Sequence, residues 1–293
     1  MNDSLVSIQV ITYNSAQTVV ETLNSIKAQT YPNIELIISD DCSKDNTVEI
    51  CREWVEMNKE RFIRVEILTI EKNTGVSANC NRVERASHGE WAKIIAGDDM
   101  LLPNCISDCM EYVARHPDTT YLFGKCKAFG VDDERCKQIE NNFDYSFFSL
   151  RQEEQLHRLL TESNCIPATT AFYNRERVQA LGVRNDERIP NMEDWPKWVN
   201  LLKAGARFEF VDKVTVLYRV SESSLSTQRT YSPTFAKSMA LFYKYYQFEY
   251  EYKHGSKKKA IENRLRSQYT ITKSKMWYVI FKTYKMLIMR KMH

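Results

Sequence analysis

The 293-residue chain reads as an α/β protein built on a mostly parallel sheet with helices on both faces. Three observations predict this. Through the first 118 residues, short apolar β-branched runs alternate with segments of helical period, in the order strand, helix, strand, helix. The strands are apolar continuously rather than alternately, which suits a sheet covered on both sides. A polar cluster follows the first, second and fourth strands, at the carboxyl ends where such sheets bind ligands.

LVSIQVIT (5–12) is a buried strand closed by Tyr13-Asn14-Ser15. Residues 16–29 place Val19, Val20, Leu23 and Ile26 at helical spacing, with Ser15 as the expected N-cap. Tyr31-Pro32-Asn33 breaks that helix, and IELIIS (34–39) is the second strand. The polar loop Asp40-Asp41-Cys42-Ser43-Lys44-Asp45 precedes a helix from about Asn46 to Asn58. VEILTI (65–70) is the third strand and 76–87 the third helix. EWAKIIAG (90–97) is the fourth strand and runs directly into Asp98-Asp99; Pro103 then opens a helix reaching about Arg115.

Beyond residue 118 the pattern loosens. YLFGKCKAFG (121–130) is a strand, and the acid-rich stretch 131–150, with Phe143, Tyr145, Phe147 and Phe148, reads as an irregular mobile flap. Residues 166–173 are expected to form a strand, NMEDWPKWVNLLKAG (191–205) a helix entered through a polar, aromatic turn, and FEFVDKVTVLYRV (208–220) a long strand or hairpin. Ser221, Ser223, Ser224 and Ser226 suggest a flexible loop, and long basic helical segments follow.

Composition narrows the function classes. A hydrophobic content of 43% with 12% aromatics supports a packed core rather than a disordered chain. The eight cysteines lack paired spacing and a companion histidine pair, so neither a disulfide framework nor a zinc site is expected. With an N-terminus lacking a basic start and a cleavage site, this places the protein in a reducing cytoplasm. Net charge is +3, but residues 253–293 hold twelve Lys/Arg against one acid, so the preceding 252 residues carry −8. An acidic body repels nucleic acid. The tail interleaves Trp277, Tyr278, Ile280, Phe281 and Tyr284 with Lys282 and Lys285, without an eighteen-residue apolar run. It suits a helix lying on an anionic membrane surface, the alternative being a terminal helix packed on the body.

Two adjacent carboxylates at a strand end repel each other unless they are solvated or share a cation. Mg²⁺ and Mn²⁺ prefer carboxylate, water and phosphate oxygen and bridge such carboxylates to a diphosphate. Asp98-Asp99 therefore reads either as an acidic turn or as a cation site, and the second acidic loop at Asp40-Asp41 favours the latter. Glu193-Asp194 at a helix entrance has two readings as well, catalytic carboxylates or helix capping with a favourable dipole contact. Trp195 and Trp198 suit either stacking on a sugar or core packing. Gly75 suits a tight turn near a ligand or simply a turn.

The stretches VSIQVITYNSAQTVVETLNSIKAQTYPNIELIISDDCSKDNT, NTGVSANCNRVERASHGEWAKIIAGDDMLLPNCI and NMEDWPKWVNLLKAG, in that order, resemble the blocks of family 2 glycosyltransferases. The resemblance spans about residues 5–220. It implies a GT-A fold, with a nucleotide-sugar-binding half at 1–118, an acceptor-binding half at 119–220 and a helical basic extension at 221–293. The implied activity is inverting transfer from a UDP-sugar with Mn²⁺ or Mg²⁺. On this resemblance Thr12, Tyr13 and Asn14 border the nucleotide and Asp41 bonds the base edge. Asp98 lies near the ribose, Asp99 binds metal, Asp194 is the catalytic base, and Glu193 with Trp195 meets the acceptor. Gly97-Asp98-Asp99 departs from a strict Asp-x-Asp and leaves open which carboxylate touches the cation. Lys72, Arg82 and Arg219 are candidates to assist the leaving diphosphate. The acceptor expected with this tail is a polyprenyl-diphosphate-linked saccharide at the inner membrane face.

Two rival readings remain. A nucleotidyltransferase or hydrolase on the same sheet would want a glycine-rich basic loop after the first strand, whereas this chain has TYNSAQT. A non-catalytic nucleotide-sugar-binding scaffold would be expected to lack Asp99 or Asp194, and both are present.

Overall fold

The computed structural model describes residues 4–130, 132–221 and 232–290, with side chains to 286. One eight-stranded sheet runs through it in the order β3-β2-β1-β4-β7-β6-β8-β5. Its strands are β1 (Val6–Thr12), β2 (Ile34–Asp40), β3 (Arg64–Leu68), β4 (Trp91–Ala96), β5 (Met100–Leu101), β6 (Tyr121–Gly130), β7 (Phe172–Asn174) and β8 (Phe208–Val220). The first four are parallel, as the continuous apolar runs predict. Their register aligns Thr12 with Asp40 and Ile11 with Ala96. All three polar clusters consequently emerge at one edge. β7 runs antiparallel between β4 and β6, and β8 lies parallel to β6. The two-residue β5 pairs with β8 through Met100 and Leu217, which carries the residues after Asp99 to the far end of β8.

The helices are α1 (Val19–Lys27), α2 (Thr47–Asn58), α3 (Val76–Ala86), α4 (Cys105–Arg115), α5 (Asp133–Glu140), α6 (Gln152–Thr161), α7 (Arg175–Ala180), α8 (Asp194–Lys203), α9 (Pro233–Phe242), α10 (Phe248–His254), α11 (Lys257–Thr272) and α12 (Lys275–Arg290). One core lies where α1, α2 and α4 cover β1, β2 and β4, with Ile8, Leu23, Ile26, Leu36 and Ile106 wholly buried. The second is rich in aromatic rings: Tyr121, Phe123, Trp195, Trp198 and Phe208 interlock from β6, α8 and β8. Phe242 and Leu241 of α9 join that second core, so packing crosses residue 220, where the sequence suggests a boundary. All eight cysteines are free.

Several expectations need correction. Thr18 rather than Ser15 stands at the N-cap of α1; the Ser15 carbonyl instead accepts from the Thr18 and Val19 amides in a preceding turn. The stretch 131–150 is not an open flap. It holds α5 and a helical turn at Tyr145–Ser149, Phe147 is fully buried, and Phe148 stacks on Phe210 with centroids 5.2 Å apart. Apolar aromatics gain more by burial than their acidic neighbours lose, because the acids stay on the solvent side. The strand expected at 166–173 shrinks to β7, preceded by a short helical turn at Ala168–Thr170. Ser223, Ser224 and Ser226 lie outside the described residues.

Candidate functional site

The first two strand ends are tied to each other. Thr12 is buried, and its hydroxyl donates to Asp40 Oδ2 at 2.9 Å. Asn14 takes a left-handed φ of 52°, from which its amide donates to Ser43 Oγ and its Oδ1 accepts from the Lys44 amide, both at 2.8 Å. Asparagine tolerates that conformation better than most residues. Tyr13, between them, keeps 49% of its surface exposed at the lip of the sheet.

Asp41 is buried and already occupied. Its carboxylate accepts from the Thr74 hydroxyl at 2.7 Å, the Gly75 amide at 2.8 Å and Arg82 Nη2 at 2.9 Å. It thus organises the loop before α3. Gly75 is required there: φ is +89°, and a Cβ would sit 2.6 Å from Pro190. The sequence left Gly75 open; the close approach of the 185–190 segment explains it. α3 continues the connection, since Ser77 Oγ donates to the Ile189 carbonyl at 2.6 Å and Asn81 Oδ1 accepts from the Asn185 amide at 3.0 Å. Asn79 donates to the Ser39 carbonyl at 3.1 Å. One helix therefore links the strand ends to the segment that leads into Glu193-Asp194.

At the fourth strand end the two aspartates differ. Asp99 is buried, with Oδ2 accepting from the Thr169 hydroxyl at 2.6 Å and Oδ1 from the Arg219 amide at 2.8 Å. Burial, then the charge of Asp98, push its pKa up to about 7. Asp98 is partly exposed, and its carboxylate is held by no other residue's side chain or amide among the described residues, only by its own backbone amide. Burial raises its pKa too, against the Arg219 guanidinium, which lowers it. Lys93 lies fully buried beneath the pair and donates to the Thr169 carbonyl, the residue whose hydroxyl holds Asp99. Two carboxylates with raised pKa and unused lone pairs fit a hard divalent cation that completes its shell with water and phosphate. A closed protein cage is absent among the described residues, which hold no cluster of three or more His, Cys, Asp or Glu side chains suited to a metal.

Glu193 and Asp194 open α8. Asp194 Oδ2 accepts from Asn164 Nδ2 at 2.6 Å and Oδ1 from the Trp195 amide at 2.7 Å, and burial raises its pKa. Glu193 is pushed up to about 7, chiefly by burial and then by Asp194. Trp195, expected to face an acceptor, is a core residue instead: it is 8% exposed, its ring lies 4.5 Å from that of Phe242, and its indole N–H donates to the Leu159 carbonyl. Trp198 is buried as well. Of the three candidate cations, Arg82 is committed to Asp41. Arg219 bonds the Asp98 carbonyl and Glu21 and lies over Phe129, and Lys72 is exposed.

Sequence reasoning missed Thr169, Asn164 and Lys93. The first two sit in an irregular stretch that gives no periodic signal. Lys93 did give one, a charged residue inside the otherwise apolar strand EWAKIIAG, which implies a buried partner.

Comparison with known proteins bears on the whole arrangement. Residues 7–182 match the family described as Glycosyl transferase family 2. The chain is 26% identical over 226 residues to UDP-Glc:alpha-D-GlcNAc-diphosphoundecaprenol beta-1,3-glucosyltransferase WfaP of Escherichia coli, covering 77% of this chain and 81% of that protein. It superposes on the crystal structure of S. aureus TarS 1–349 in complex with UDP-GlcNAc with a TM-score of 0.64 and 19% identity, covering 91% of this chain and 72% of that one. A mannosyltransferase of Pyrobaculum calidifontis, PcManGT, in complex with GDP-Man and Mn²⁺, superposes with a TM-score of 0.59 and 16% identity over 98% of this chain and 81% of that one.

Proposed function

Since the chain belongs to glycosyl transferase family 2 and is a GT-A glycosyltransferase, we propose that it moves a sugar from UDP to a hydroxyl of a lipid-linked saccharide, inverting the anomeric carbon. The observation that carries this reading is a pair of partly desolvated carboxylate sites, Asp98-Asp99 closing β4 and Glu193-Asp194 opening α8, in one molecule. Titratable groups displaced from their usual range cluster where chemistry is done. A relative named for UDP-Glc and a diphosphoundecaprenol-linked acceptor, and a structural neighbour in complex with UDP-GlcNAc, support the substrate class.

In this mechanism the acceptor oxygen forms a bond to the anomeric carbon as the bond to the β-phosphate oxygen breaks. Asp194 takes the hydroxyl proton, and UDP leaves with the electron pair. Burial suits Asp194 to this, because a base whose pKa is raised holds the proton better. Asn164 and the Trp195 amide orient its carboxylate and leave lone pairs free. Asp98 and Asp99 would hold Mn²⁺ or Mg²⁺, which supplies Lewis-acid neutralisation of the diphosphate. Thr12, Tyr13 and Asn14 form the nucleotide lip, and Asp41 contributes by shaping the 73–75 loop. Glu193 assists at the acceptor hydroxyl.

Calorimetric titration tests this directly. UDP should bind with Mn²⁺ and lose most affinity in EDTA, with GDP and ATP weaker. Failure of every nucleotide to bind, with or without metal, would sink the reading.

The membrane side of the proposal rests on α12. Met276, Val279, Ile280 and Met286 are exposed at helical spacing on one face, with Lys275, Lys282 and Lys285 exposed beside them. Trp277, Phe281 and Tyr284 are half-buried. Among the described residues no helix is long and apolar enough to cross a membrane. An apolar stripe edged by lysines fits peripheral contact with anionic lipid at the inner membrane face. Replacing Lys282 and Lys285 together by Gln should weaken binding to anionic vesicles by roughly tenfold or more, at about 1 kcal/mol per charge, and leave UDP affinity unchanged. Equal vesicle binding by wild type and variant would remove α12 from the membrane.

A further inference from the structure

Lys197 sits one helical turn beyond Asp194, and its side chain is only 6% exposed. Its ammonium pairs with Glu84 of α3, itself 16% exposed, and lies 5.2 Å from the centroid of the Tyr173 ring on β7. The Tyr173 hydroxyl lies 3.2 Å from Glu84 Oε1 and 3.0 Å from Gln9 Oε1 on β1. Gln9 Nε2 in turn donates to Ser87 Oγ at 2.9 Å, just past the end of α3. Four elements thus meet in one buried polar network, joined through Lys197 to the helix that Glu193 and Asp194 open.

Stability alone is a poor reason to keep such a network. Removing two charges from water costs about as much as their attraction returns, and a well-packed apolar pair often does as well. The useful question is what the charge does for its neighbours. Glu193 stands four residues before Lys197 at the start of the same helix, Cys80 of α3 lies among Glu193, Lys197, Glu84 and Asp194, and Tyr121 of β6 faces Lys197. Lys197 is a cation whose charge acts on Glu193.

We propose that Lys197 is a positioning residue, a buried counter-ion that keeps the Glu193-Asp194 pair ionised for proton abstraction and ties the start of α8 to α3 through Glu84. The inference rests on the glycosyltransferase reading given above. Burial and Asp194 push Glu193 toward neutrality, and Lys197 opposes them. Burial alone would lower the pKa of Lys197, but Glu84, joined by Tyr121 and Cys80, outweighs it and raises the pKa, so the ammonium stays charged. Glu84 also neutralises part of that charge, which sets how much reaches Glu193. α3 carries the same alignment at its other end, where Ser77 and Gly75 meet residues 189–190.

Opposite signs make the test. The pH dependence of kcat is measured for wild type, Lys197→Met, Glu84→Gln and the double variant Glu84→Leu with Lys197→Met, with UDP affinity as the check on folding. Loss of the ammonium raises the pKa of the pair, so in Lys197→Met the acid limb should move up by roughly one pH unit. Loss of Glu84 leaves the ammonium less neutralised, so at pH values where Lys197 still holds its proton the limb of Glu84→Gln should move down. If the unpaired Glu84 prevents Lys197→Met from folding, the double variant replaces both charges with apolar groups and should still show the upward shift. An acid limb unmoved in the lysine variants, or moved the same way in both single variants, overturns the proposal. Asp194→Asn in the wild-type background is run alongside: if it transfers sugar normally, the base assignment has failed rather than the role of Lys197.

Discussion

Asp194→Asn is expected to lower kcat for transfer by a factor of roughly 10²–10⁴, the usual contribution of a positioned general base, while UDP affinity stays within a few-fold of wild type. The substitution is nearly isosteric. Its side-chain oxygen can still accept from the Trp195 amide, now 2.7 Å from Oδ1, which keeps the start of α8, although the bond from Asn164 Nδ2 to Oδ2 is given up. What is lost is the capacity to take a proton. The nucleotide lip at Thr12-Tyr13-Asn14 and the carboxylates at Asp98-Asp99 belong to other strand ends, so donor binding should not register the change. Wild-type activity should also decline as the pH falls through the raised pKa values of the Glu193-Asp194 pair, because the protonated form cannot act as base. Rates from progress curves at saturating donor and a UDP titration read both quantities. A variant that keeps more than about a tenth of the wild-type kcat would transfer the base role elsewhere, with Glu193 next to examine.

The parallel half of the fold was legible because its strands are buried on both faces. Ile8, Val10, Leu36 and Ile38 have no polar side to show, and the polar residues that end each strand stand out sharply against them. The second half was less legible because its order comes from aromatic contacts distant in sequence. Nothing local in 143–148 announces that Phe148 will stack on Phe123 and Phe210, and acidic neighbours suggested solvent. Trp195 shows the same limit from the other side. A tryptophan beside two carboxylates suits a sugar-binding face until Phe242, nearly fifty residues later, is seen to cover it. The candidate site followed this division: the carboxylates at the strand ends and at the start of α8 could be named from sequence, whereas Asn164 and Thr169, which orient Asp194 and Asp99, are brought in by tertiary contact.

Asp98→Asn and Asp99→Asn should fail differently, and the contrast assigns the cation. The resemblance gives the metal to Asp99, yet the geometry leaves Asp98 as the carboxylate with no hydrogen bond from another residue to give up and part of its surface open. Asp98→Asn should therefore lose Mn²⁺-dependent UDP binding by about 100-fold, equivalent to about 2.7 kcal/mol, with melting temperature nearly unchanged. Asp99→Asn keeps its oxygen for the Arg219 amide and the Thr169 hydroxyl can turn to accept one amide N–H, but the second N–H finds no acceptor in the set that now holds the carboxylate at this buried position. A buried donor left without an acceptor costs about 1–3 kcal/mol, so this variant should melt several degrees lower, and it should weaken Mn²⁺ less than Asp98→Asn does, through the lost charge and the displaced loop. Mn²⁺ affinity of the wild type should rise as pH increases through about 7, since Asp99 must shed the proton its burial retains before the pair can carry full charge. Thermal melts with and without Mn²⁺, together with UDP titrations of both variants, decide the matter. Equal metal loss with no loss of stability in Asp99→Asn would return the cation to Asp99 and make Asp98 the residue that serves the nucleotide.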